Sequence, residues 1–148
     1  MGDFLSEFIS NRIFWSAALA WLVAQTIKLI LTLLIDKELR LERLHGSGGM
    51  PSAHTATIVS ASTAIGLQEG WGSAIYALSL IMAFIVMYDA SGVRRSVGRQ
   101  AKLLNNIIVD LYKNKHFEEE KLKELIGHKP TEVVVGAILG ILVANLMV

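Results

Sequence analysis

The chain has 148 residues, of which 53% are hydrophobic and 18% charged, and its mean hydropathy is +0.49. That length makes one domain the default, spanning residues 1–148, and the hydropathy is high for a water-soluble domain. The formal net charge of +1 gives no reason to expect a nucleic-acid partner, and the absence of cysteine excludes disulfides and leaves no redox inference.

Residues 1–12 (MGDFLSEFISNR) lack a basic start. No A-x-A-like cleavage site follows the next apolar run, so the first segment is read as a retained anchor. Residues 13–35 carry one charge, Lys28, and are long enough to cross a bilayer core. Residues 53–68, 70–88 and 133–148 carry none and lie near the lower length limit. Spans are therefore expected near 13–35, 53–68, 72–88 and 131–147. The second is rich in Ala, Ser, Thr and Gly, which let helices approach closely, so it belongs at the centre of the bundle. The short turn LQEGWG (67–72) makes the second and third spans an antiparallel hairpin. Trp15, Trp21, Trp71 and Tyr76 suit interfacial positions.

Residues 89–130 form a charged insert. Within AKLLNNIIVDLYKN, apolar residues at 103, 104, 107, 108 and 111 draw a helical stripe, suited to the membrane surface or to packing on the bundle. FEEEKLKELIG (117–127) has acids in its first turn and a closing Gly127, as a short helix prefers. Pro130 suits the first turn of the last span. That span holds Gly136 and Gly140, a G-x-x-x-G, which leaves packing inside the bundle or a homo-oligomer open. The fold expected is an all-α integral membrane bundle of about four spanning helices plus short cytoplasmic helices. Four spans put loops 36–52 and 89–130 on one side. Those loops hold Lys37, Arg40, Arg43, Arg94, Arg95, Arg99, Lys102, Lys113, Lys115, Lys121, Lys123 and Lys129, twelve of the fourteen Lys and Arg residues. The positive-inside rule makes that side cytoplasmic, in a bacterial plasma membrane.

Chemistry-bearing residues collect at the same ends. Lys28 either snorkels to the interface or faces an anionic ligand. In GGMPSAH (48–54), Gly48 and Gly49 allow close backbone approach, Pro51 suits a helix start, and free N–H groups there make an anion site. Ser52 adds a hydroxyl, and His54, in the first turn, is a usable proton donor. The bland alternative is a glycine-rich turn that caps a helix. YDASGVRRSVGRQ (88–100) clusters Asp89, Arg94, Arg95 and Arg99, either as phosphate forks or as positive-inside charge. His128 and Glu132 become i, i+4 neighbours if both join the last helix, and a carboxylate on one ring nitrogen orients a histidine and raises its basicity. Two histidines, a carboxylate and several cations together suit phosphoryl transfer through a phosphohistidine.

The motifs P-S-A-H (51–54) and H-x3-E (128–132), with GGMPSAH, YDASGVRR and GHKPTEV, resemble the type-two phosphatidic acid phosphatase superfamily, which shares its core with vanadium haloperoxidases. Over most of the chain the likeness is to its divergent, short bacterial and plastid branch. The resemblance implies a metal-independent hydrolase, without cofactor, acting on a lipid phosphate or diphosphate at the bilayer. The phosphatidate, phosphatidylglycerophosphate and isoprenyl diphosphate types are the candidates. It also implies roles. His128 is the nucleophile, Glu132 orients it, and His54 protonates the leaving group. Lys28, Ser52, Gly49 and one or both of Arg94 and Arg95 hold the phosphate. The pattern departs in four places. Ile35 and Asp36 stand where the first motif has Arg-Pro, Ala53 where the second has Gly, and Glu132 where the third has Asp; about thirty residues separate arginine from histidine where the family has five. A second reading follows, an inactive relative that binds a phosphorylated lipid or partner. A third, a small transporter subunit, lacks the second repeat such proteins use.

Overall fold

A computed structural model describes residues 2–36, 49–111 and 127–148, and the side chains of Ile35, Asp36, Arg94, Arg95 and 109–111 lie outside it. The described residues form six helices: α1 (Gly2–Ile9), α2 (Arg12–Asp36), α3 (Ala53–Glu69), α4 (Ala74–Ser91), α5 (Val93–Leu111) and α6 (Pro130–Met147). No strand occurs among them. The expected helix over 117–127 lies outside the described residues, apart from Gly127.

Three stretches are long and apolar enough to cross a membrane: Arg12–Leu34, the run that begins at Ala74, and Pro130–Met147. The fourth expected span, α3, has 17 residues, about 25 Å at 1.5 Å per residue, somewhat short of a ~30 Å hydrocarbon core. It packs on α2, α4 and α6 at once, so its neighbours supply the apolar boundary that its own composition lacks. The small side chains make this centrality possible. Ala53, Thr55, Ala56, Ser60, Ser62, Ala64 and Gly66 are all buried. Their hydroxyls are matched across helices: Ser60 bonds Ser16 of α2 at 2.6 Å, and Ser62 bonds Ser79 of α4 at 3.0 Å. Burying such groups without partners would be unfavourable in an apolar surrounding.

The G-x-x-x-G of α6 resolves to packing inside the bundle. A Cβ on Gly136 would lie 2.6 Å from the Ser52 carbonyl oxygen, and one on Gly140 would lie 2.6 Å from the Ala56 oxygen and 2.9 Å from the Ser60 nitrogen. Those are backbone atoms and cannot swing aside. The motif is thus occupied within the protomer and gives no support to an oligomer.

The first twelve residues hold a helix that was not expected from the sequence. α1 exposes Phe4, Leu5, Phe8 and Ile9. Phe8 meets Phe14 at 4.8 Å and Phe14 meets Trp15 at 5.3 Å, an aromatic cluster at the α1–α2 corner. At the far end of α3, Trp71 stacks edge-on to Tyr76 at 5.0 Å and covers Gly66, which closes the hairpin.

Gly140→Ala is expected to lower stability by about 1–3 kcal/mol, the usual range for overpacking. Thermal unfolding of the purified protein in detergent reads this, with Leu142→Ala, at an exposed position of the same helix, as a comparator expected to stay below the Gly140→Ala effect.

Candidate functional site

The site forms where α3 and α6 begin and α4 ends. Ser52 is the N-cap of α3, and its Oγ accepts from the Thr55 N–H at 3.4 Å and from the Thr55 hydroxyl at 3.0 Å. Pro51 therefore sits before the cap, buried, and not in the first helical turn as the sequence suggested. Helix α3 begins at Ala53 because Ser52 takes up an orphan amide there. The Met50–Pro51 peptide is cis.

Gly49 lies on the methylene stem of Lys28, where an added Cβ would make ordinary van der Waals contact at 3.4 Å from Cγ. Its glycine character serves its φ of +88°, a left-handed conformation that other residues rarely adopt. Lys28 is 4% exposed, six residues inside the apolar stretch that ends at Leu34. It does not snorkel into open water. Its ammonium lies within electrostatic reach of the Glu132 carboxylate. Gly48 lies outside the described residues.

His128 stands outside α6, one residue before the N-cap Lys129, so the expected i, i+4 pair does not lie within the helix. The pair forms nonetheless across the helix start: His128 Nδ1 and Glu132 Oε2 are 2.9 Å apart. The same Oε2 accepts the Lys129 N–H at 3.2 Å, so the carboxylate caps the helix and holds the imidazole together. Pro130 occupies the first turn of α6, as its fixed φ suits. A carboxylate can only accept, which puts a proton on Nδ1 and leaves a lone pair on Nε2 of the neutral ring. His128 is 1% exposed, and its Nε2 is buried without a hydrogen-bond partner. A buried ring nitrogen without a hydrogen bond, beside a second imidazole, is a feature that calls for an explanation.

Two backbone bonds draw the parts together. The Ser52 N–H donates to the Glu132 carbonyl at 3.0 Å, joining the α3 start to α6. The His128 N–H donates to the Ala90 carbonyl at 2.9 Å, so the two ends of the long insert meet. His54, exposed at the head of α3, has its ring centroid 6.2 Å from that of His128, at an interplanar angle of 64°. The structure thus gathers Lys28, Gly49, Ser52, His54, His128 and Glu132 in one place. Arg94 and Arg95 lie four and five residues beyond Ala90, in the first turn of α5, and their side chains are outside the described part. Arg99 is exposed and bonds Ser96 of its own helix at 3.2 Å. Sequence reasoning missed Thr55 and the Ala90 carbonyl. The S-x-x-T spacing could have flagged the first, but no side-chain pattern announces a backbone acceptor.

A buried imidazole bonded to a carboxylate thus stands beside a second imidazole and a buried ammonium, within a helical bundle whose long apolar helices mark a membrane protein. The sequence matches the divergent PAP2 family over residues 9–143, and the chain belongs to that family. It is similar to an uncharacterized membrane protein, YuiD, of Bacillus subtilis (strain 168), at 37% identity over 147 residues, covering 92% of this chain and 93% of that one. No solved structure matches the chain.

In protein labelled with ¹⁵N-histidine, the neutral His128 ring is expected to show a protonated Nδ1 and a bare Nε2. Glu132→Ala should abolish that preference. A dominant Nε2–H form in the unaltered protein would contradict the tautomer deduced from the carboxylate.

Proposed function

We propose that the protein is a membrane phosphatase that hydrolyses a lipid phosphate or diphosphate through a phosphohistidine. The observation that carries this reading is the bare, buried Nε2 of His128, in a ring held by Glu132 with its centroid 6.2 Å from that of His54. In the first step the Nε2 lone pair attacks phosphorus and the bond to the leaving oxygen breaks. Protonated His54 gives its proton to that oxygen, so the alcohol or phosphate departs neutralised. In the second step neutral His54 takes a proton from water. The resulting oxygen attacks phosphorus, the P–N bond breaks, and Nε2 regains its lone pair. Glu132 stabilises the imidazolium character that develops on His128, as the acid of a triad does. The Lys28 ammonium and the Ser52 hydroxyl proton, free to donate while its lone pairs accept from Thr55, balance the phosphate oxygens. Arg94 or Arg95, at the start of α5, supplies the planar fork.

The packing of the helices supports a lipid as substrate. Among the described residues, no Cα of α2 comes within 8 Å of a Cα of α4, although both helices pack on α3. Ser60 faces α2, Ser62 faces α4, and Gly136 and Gly140 of α6 cover the side between Ser52 and Ser60. The remaining face of α3 carries His54, Ile58, Ala61 and Ile65, one above another at helical spacing, and is open or half-buried. An apolar chain lying in that gap would bring its phosphate to His54 from within the bilayer. The site lies on the cytoplasmic side in this reading, because the cationic loops share its end of the bundle.

Phosphate release from phosphatidate, phosphatidylglycerophosphate and an isoprenyl diphosphate in detergent tests the reading. Activity above a His128→Ala control, inhibited by vanadate, is expected on at least one of the three. Release equal to that control across all three would overturn hydrolysis and leave the anion-binding reading, which the missing Arg-Pro of the first motif favours. Glu132→Gln keeps the size of the orienting side chain and removes its charge. It is expected to lower kcat by roughly 10²–10⁴, the scale seen when a triad acid is neutralised. His54→Ala should slow the first step most for poor leaving groups, read as a steeper dependence of rate on leaving-group pKa.

A further inference from the structure

Helix α5 is divided lengthwise into three sectors. Gly98, Ala101 and Asn105 share one face and are buried. Arg99, Lys102 and Asn106 share a second and are exposed, and the register places the Arg95 backbone position on it as well. Val93, Val97, Leu103, Leu104 and Ile107 share the third and are also exposed, Leu103 by 61%, with Gln100 and the half-buried Ser96 the polar residues among them. Large apolar side chains gathered on one side of a helix need a partner.

Water is a poor partner for that sector, and the bilayer core cannot take the whole helix. Val93–Leu111 carries Arg94, Arg95, Arg99 and Lys102 against the single acid Asp110, too many charges to cross hydrocarbon. Its sequence neighbour α4 already supplies 18 residues of apolar helix, and its exposed stripe of Ile81, Phe84, Ile85 and Tyr88 runs up to Gly92, where α4 stops. The apolar sector of α5 starts at Val93, immediately past that point. A helix with an apolar side, a cationic side and a direct connection to a membrane-spanning segment has the composition of an element lying in the interface.

We propose that α5 lies in the plane of the bilayer surface, with Val97, Leu104 and Ile107 in the outer acyl region and with Arg99 and Lys102 on anionic lipid headgroups. The charge excess on α5 selects the lipid, since each cation near an anionic surface adds to its attraction. This surface is separate from the phosphate chemistry and stands whether or not the protein is a phosphatase.

The chain has no cysteine, so single nitroxide labels can be placed cleanly on the full-length protein. Leu104→Cys and Ile107→Cys report the apolar sector, and Lys102→Cys and Asn106→Cys the cationic one. In phosphatidylcholine vesicles with phosphatidylglycerol, labels at 104 and 107 are expected to collide at least several-fold more with oxygen, relative to a water-soluble nickel complex, than labels at 102 and 106. Equal ratios in the two pairs would overturn the proposal. So would labels at 104 and 107 shielded from both reagents with spin–spin broadening that vanishes on dilution in lipid, which would assign the face to a second copy. Shielding from both reagents without broadening would overturn it equally, in favour of a cover from the same chain. The anionic preference has its own readout. The contrast should be weaker in pure phosphatidylcholine, and Arg99→Gln with Lys102→Gln should shrink the difference between the two vesicle types, since Arg94 and Arg95 remain. An unchanged contrast in both compositions would overturn that part.

Discussion

The close approach of α3 and α6 is the constraint on which the rest depends. Gly136 and Gly140 let the α6 backbone lie against the carbonyls of Ser52 and Ala56. Only at that separation can the Ser52 N–H reach the Glu132 carbonyl at 3.0 Å. That bond fixes the start of α3 against the start of α6, and with it the distance between His54 on one helix and His128 before the other. In lipid there is no hydrophobic drive between helices, so contact area and matched hydrogen bonds must hold such a seam. The buried hydroxyl pairs Ser16–Ser60 and Ser62–Ser79 extend the same logic along α3 to α2 and α4.

The seam also explains how charge is kept inside an apolar bundle. Lys28 is eight residues from the end of α2, about 12 Å along the axis, yet the chain returns beside it at Gly49. α3 is short because it starts at this recessed level. The ammonium is thereby met by Glu132 from α6 instead of by hydrocarbon. A buried cation facing a carboxylate is poor evidence of stability, because desolvation offsets much of the attraction.

Much of the bundle was legible in the sequence because hydropathy and helical length are local properties. The spans near 13–35, 72–88 and 131–147 and the central position of the small-residue span follow from them, as does the stripe on α5. Helix starts were less legible. Pro51 reads as a first-turn residue and the spacing leaves His128 open between helix and loop, but each precedes its cap, because a buried serine in one case and Lys129 in the other begins the helix. The candidate histidines and acid could be named from spacing. Their orientation could not, since it depends on the Ala90 and Glu132 carbonyls, which carry no side-chain signature. The short α1 escaped notice because eight residues give little periodicity to read.

Glu132 then acquires two duties that cannot be separated. Its Oε2 caps α6 through the Lys129 N–H and also sets the proton on His128 Nδ1. A residue that only capped could be replaced by any short acceptor, and one that only oriented a histidine could come from another element. The shared oxygen demands a long acceptor side chain at the third position of the helix, and a carboxylate there adds the charge that a developing imidazolium would need. It also ties the imidazole to the helix start, so His128 cannot tilt away without uncapping α6. Cap and orienter being one group, the ring is held at its position by the same bonds that begin the helix, and Nε2 is left bare by the geometry of the fold itself.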